Sequence, residues 1–126
     1  QLLINDVAAL GALFASLMEA QYVRLRLEKV TDNACRKFHR DTLTARLVCT
    51  YRGPGTEFGQ VREDLDPDPI HAVPAFSPIL LRGIHWLESP ISGLVHRSPP
   101  IDGTGQTRFV VVLDPIFDLE GDTAIR

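Results

Sequence analysis

Residues 22–30, YVRLRLEKV, alternate apolar and polar side chains strictly from Val23 to Glu28. Successive side chains on a strand point to opposite faces, so Val23, Leu25 and Leu27 share one face and Arg24, Arg26 and Glu28 the other. A half-buried antiparallel strand has this pattern. Residues 43–51, LTARLVCTY, repeat it with Leu43, Ala45, Leu47, Cys49 and Tyr51 on one face. TDNA at 31–34 and Gly53-Pro54-Gly55 are turn formers that end the two runs.

Three shorter apolar runs, 79–83, 91–95 and 108–113, add candidate strands, RFVVVL at 108–113 being the most strongly buried in character. One helix is expected over 6–20. Val7, Leu10, Gly11, Phe14, Leu17 and Met18 recur at three and four residues and make one apolar stripe, and Asn5 or Asp6 can cap its start. Residues 60–78 are polar and proline-rich and read as a long surface loop, either a lid or a solvated linker. One helix followed by many short strands predicts a mainly β, α+β domain of sandwich or open-barrel type spanning residues 1–126. The chain does not open on Met, so a preceding region that holds part of the site is also expected.

The totals remove several classes of function. A formal net charge of −3 argues against a nucleic-acid backbone as the main partner, although Arg24, Arg26, Arg36, Lys37 and Arg40 offer a local basic patch. The longest uncharged stretch, Val7 to Met18, is too short to span a bilayer. Two cysteines, Cys35 and Cys49, suit reduced thiols in a cytoplasmic protein better than a disulfide-stapled secreted one.

The segment CRKFHRD, residues 35–41, carries the chemistry. On an extended chain His39 and Asp41 point the same way, so an imidazole nitrogen and a carboxylate oxygen converge on one point. Iron(II), zinc, manganese and nickel all accept that mixed donor set. His96, after the apolar Gly93-Leu94-Val95 and before a proline turn, is the best third ligand. In a double-stranded β-helix, a cupin-like jelly roll, an early His-x-Asp and a late His meet at the open mouth and leave positions for substrate, cosubstrate or oxygen. Cys35 is a possible fourth ligand or a small bystander thiol, and Cys49 a core residue. His71, in the acidic loop, is expected to face solvent, and His85 to be a packed or surface residue. Arg108, twelve residues beyond His96, can pair with a cosubstrate carboxylate, Tyr51 can add a hydroxyl, and Arg97 and Ser98 are further options.

CRKFHRD, LVCTYRGPGTEF, GLVHRSPP and RFVVVLD together resemble the uncharacterised bacterial family called domain of unknown function 1826, over roughly residues 10–114. That resemblance implies a link to metal supply, through zinc-responsive loci and a metal-chaperone GTPase as partner. A more distant similarity, to iron(II)- and 2-oxoglutarate-dependent oxygenases, maps His-x-Asp, the distal His and the basic residue onto His39, Asp41, His96 and Arg108. Three readings follow. The first is an oxygenase-like enzyme that uses iron(II) and 2-oxoglutarate on a small-molecule substrate. The second is a non-catalytic zinc-binding protein of bacterial metal homeostasis. The third is a metal-free binding module in which His39 and Asp41 pair in a polar cleft.

Overall fold

A computed structural model describes residues 1–34, 36–87 and 91–118. Among these residues one helix, α1 (Leu2–Met18), precedes seven strands: β1 (Tyr22–Val30), β2 (Ala45–Arg52), β3 (Glu57–Gln60), β4 (His71–Ala72), β5 (Pro78–Arg82), β6 (Leu94–Arg97) and β7 (Arg108–Ile116). All pairings are antiparallel and form a four-stranded sheet in the order β1-β7-β2-β5 and a three-stranded sheet in the order β4-β3-β6. The chain is thus mainly β with one N-terminal helix. Among the described residues, no helix is long and apolar enough to cross a membrane.

The large sheet is buried on both faces because its two central strands are. β7 alternates Val111 and Leu113 on the helix side with Arg108, Val110, Val112 and Asp114 on the other. β2 does the same, with Ala45, Leu47 and Cys49 under the helix and Arg46, Val48 and Thr50 opposite. Phe14, fully buried, anchors α1 to this sheet, with Val7, Leu10 and Met18 beside it; burying a ring of that size stabilises by about 2–3 kcal/mol. The helix begins earlier than the stripe predicts. Gln1 stands at its N-cap without a side-chain cap, and Asp6 lies inside the helix, where it accepts the Tyr51 hydroxyl at 2.5 Å. The helix ends at Glu19, whose φ of 50° lets the N–H groups of Glu19 and Ala20 close back on Ser16 and Ala15.

β1 is the antiparallel strand the alternation predicts, but its two faces carry other weights. Val23 packs beneath α1, while Leu25 and Leu27 stay about half exposed, at 46% and 53%. Arg24, Arg26 and Glu28 lie on the face opposite the helix and line clefts there, beside the smaller apolar cluster of Val48, Leu81, Val110 and Val112. The 60–78 segment runs largely on the surface as expected, with β4 inside it pairing to β3 and Val73 tucked in through its N–H to Thr56 O. β6 sits later than the apolar run at 91–95 suggests. It takes in His96, since pairing with β3 and with His39 continues to Arg97 before Pro99-Pro100 stops it.

Candidate metal centre

His39 lies in the connection between β1 and β2 and bridges to β6. Its N–H donates to His96 O at 2.9 Å, and the His96 N–H returns a bond to His39 O at 3.0 Å. Residues that exchange both backbone bonds stand directly opposite on a sheet, so the two imidazoles emerge side by side, with ring centroids 4.5 Å apart. Asp41, two residues on, points the same way, as the extended i, i+2 spacing predicts. One ligand atom from each of His39, Asp41 and His96 lies within 4.8 Å of the other two.

The segment that carries Asp41 is fixed by the turn that follows β5, the edge strand paired with β2. Gly83 N–H donates to Thr44 O, Ile84 N–H to Asp41 O and His85 N–H to Leu43 O, at 2.8, 3.0 and 3.0 Å. Gly83 cannot carry a side chain there, since a Cβ would sit 2.0 Å from Leu43 O and 2.7 Å from Asp41 O.

The geometry fits a bound cation. Bonds of about 2.1 Å to nitrogen and oxygen put neighbouring ligand atoms about 3.0–3.4 Å apart. His39 Nε2 lies 3.3 Å from Asp41 Oδ1, and His96 Nε2 lies 3.3 Å from Oδ2. Asp41 is only 6% exposed, and its Oδ2, with His96 Nε2 at 3.3 Å, has no well-aligned hydrogen bond among the described residues. A buried oxygen in that state is costly unless something else satisfies it. The His39 Nδ1–H donates to Lys37 O at 2.7 Å, which leaves Nε2 free to coordinate a metal and matches the usual outer support of a metal-bound histidine. Arg46 Nη1, 3.2 Å from Asp41 Oδ1, supplies positive charge on one flank only.

The electrostatics agree. Hydrogen bonding to Asp41 raises the His39 pKa above 6.5, and partial burial opposes it. Burial works against ionisation of Asp41, but the two imidazoles and Arg46 outweigh it and hold the carboxyl well below the usual carboxylate range. The site is a carboxylate under two imidazoles, a donor set that suits a borderline divalent metal.

The triad opens on a cleft of about 140 Å³ between the two sheets, with Val48, Val110 and Val112 as its apolar wall. Arg108 also lines this cleft and is 2% exposed. Its Nε donates to Pro54 O at 2.8 Å and its Nη2 to Thr50 Oγ1 at 3.3 Å. The Gly53-Pro54-Gly55 turn presents that carbonyl. Gly53, at φ 82°, passes so close that a Cβ would lie 2.4 Å from Thr107 O. Among the described residues Arg108 forms no direct ion pair; burial pushes its pKa down, the nearby charges of Glu28 and Glu57 partly oppose this, and its hydrogen-bond partners are neutral.

The other predicted residues fall elsewhere. Tyr51 is on the helix side of the sheet, bonded to Asp6 and edge-on to Phe76, with its hydroxyl pKa raised by burial; it is not among the residues lining the Arg108 cleft. Cys35 lies outside the described residues. Ser98 and Arg97 line the cleft, and Arg97 is tied to Glu57 at 2.8 Å. Cys49 is a core residue, 1% exposed, its thiol pushed up by burial. His71 is exposed beside Phe58, and His85 lies on the rim of a second, larger cleft. Arg46 and Thr50 were missed as site residues. Their signal is the polar side of the β2 alternation, where Arg46, Val48 and Thr50 share the face opposite the apolar set.

Among known families, residues 1–114 match the one described as "Protein of unknown function (DUF1826)", and the chain belongs to that family. No curated protein and no solved structure matches it.

Proposed function

We propose that this chain is an oxygenase-like enzyme that holds iron(II) through His39, Asp41 and His96 and binds 2-oxoglutarate against Arg108. The observation that carries the reading is the pairing, in one small cleft, of a two-imidazole, one-carboxylate cluster with a buried arginine that lacks a carboxylate partner among the described residues. Three protein ligands on one side of an iron leave positions open for other ligands, and an unpaired buried guanidinium calls for an anion. Two antiparallel sheets around one cleft also suit a double-stranded β-helix of the cupin-like kind.

The residues divide the work. His39, Asp41 and His96 hold the metal, the Lys37 carbonyl fixes the His39 ring, and Arg46 balances part of the Asp41 charge. Arg108, already braced by Pro54 O and Thr50 Oγ1, turns its remaining N–H groups to a carboxylate. Val48, Val110 and Val112 keep water from the cleft. Bound iron supplies redox chemistry with dioxygen that no side chain provides.

Anaerobic titration of the full chain with iron(II) and 2-oxoglutarate tests this. A visible charge-transfer band and succinate formation under air are the expected results. The Arg108→Met variant is expected to take up metal as before and lose the band. Metal uptake without band or succinate contradicts the oxygenase reading and favours the second one, a zinc protein of metal homeostasis that works with a metal-chaperone GTPase. The donor set fits zinc equally well. In that case Cys35→Ser weakens zinc binding, because a soft ligand is lost.

A further inference from the structure

The interior face of the large sheet carries a second concentration of charge beyond the metal ligands. Arg24 on β1 stands opposite Asp114 on β7, and Arg46 on β2 reaches the same carboxylate from the other side. Arg46 takes both oxygens of Asp114, with Nε at 2.7 Å and Nη2 at 3.1 Å. Arg26 and Arg24 come only within 3.7 and 3.9 Å of it, and Arg26 is closer to Glu28, at 2.7 Å. One carboxylate already filled by Arg46 is therefore also faced by two more guanidiniums. Arg26 has Glu28 as compensation; Arg24 has no closer acid among the described residues. Its side chain is 27% exposed, so water screens this surplus charge only in part.

These three arginines and Asp114, whose charge Arg46 neutralises, line the larger cleft, about 630 Å³ in volume, whose other walls include Leu43, Pro115 and Phe117. Positive charge at one side and apolar surface at the other is the lining that an anion with an apolar body would fill. Arg26 and Arg46 line both clefts, and Arg46 touches Asp41. A ligand seated on Arg24 and Arg26 therefore lies one side chain away from a metal ligand, on a different wall from Arg108.

We propose that the larger cleft binds an organic anion, with its charged head on Arg24 and Arg26 and its apolar body against Leu43, Pro115 and Phe117, and that this anion is the substrate brought to the metal. Only the word substrate rests on the function proposed above; the anion site stands on the lining itself.

Calorimetry on the zinc-loaded full chain tests it, with 2-naphthoate as probe and uncharged 2-naphthylmethanol as its control. Naphthoate is expected to bind, and the alcohol to bind at least about tenfold more weakly, as expected for loss of a charged hydrogen bond. Arg24→Gln and Arg24→Glu are expected to weaken naphthoate by a similar factor while metal stoichiometry is unchanged. If Arg24→Glu fails to fold, Arg24→Gln and the alcohol control decide. Equal binding of the alcohol, an undiminished naphthoate affinity in Arg24→Gln, or no naphthoate binding at millimolar concentration overturns the proposal. Metal stoichiometry and the iron–2-oxoglutarate band report separately on the function proposed above, so either reading can fail without the other.

Discussion

At the scale of single residues, Asp41 and His39 give the site a pH signature. In the metal-free chain the raised pKa of His39 stabilises the fold fully below pH 6.5, and this contribution is lost as pH rises through the raised value. The lowered pKa of Asp41 stabilises it above pH 3.8, and this contribution is lost as pH falls through the lowered value. Both contributions are therefore complete between pH 3.8 and 6.5. Metal needs the imidazole neutral, so its affinity weakens as pH drops through the His39 pKa. Thermal melts from pH 4 to 9, with and without chelator, are expected to show a metal-dependent gain that grows toward alkaline pH. A gain independent of pH would take His39 out of the ligand set. The convergence of His39 and Asp41 was legible from their i, i+2 spacing, and the position of Arg108, though not its role, from the head of an apolar strand. Tyr51 shows the limit of such reading. It lies on the apolar face of its own strand, and that parity sends it to the helix side. Arg46, on the other parity, reaches Asp41 instead.

At the scale of elements, the site depends on a turn that belongs to neither ligand segment. The backbone of Gly83, Ile84 and His85 holds Asp41, Leu43 and Thr44 in place, and Gly83 leaves no room for a Cβ. Gly83→Ala is expected to displace the Asp41 loop and weaken metal binding by about 10–100-fold, as losing a supporting contact does elsewhere. Metal titration of that variant checks this, and an unchanged affinity would show that the loop holds its shape without the turn. Nothing in the local sequence flagged this contact, because Gly83 looks like the ordinary end of an apolar run. The helix, β1 and β2 were readable from periodicity, and β5 and β7 from short apolar runs. β6 was displaced because its pairing extends to His96 through backbone bonds to His39, a partner far away in the chain. β4 is too short to carry a period at all.

At the scale of the whole molecule, net charge conceals the chemistry. The chain is acidic overall, at −3, yet the interior face of its large sheet carries Arg24, Arg26, Arg46 and Arg108 against Glu28 and Asp114. Composition could not reveal that segregation; the alternation in β1, β2 and β7 does, once the helix has claimed the other face. The two-sheet arrangement then sets Arg108 and the Arg24–Arg26 pair in two clefts that share the Arg26–Arg46 wall.

The most direct test of the account is metal content. The full chain, stripped with chelator and dialysed against iron(II) without oxygen or against zinc, is expected to hold about one ion per chain. Asp41→Asn and His96→Ala are expected to hold almost none while keeping a cooperative melt. No uptake by the parent chain, or equal uptake by the parent and both variants, would contradict it.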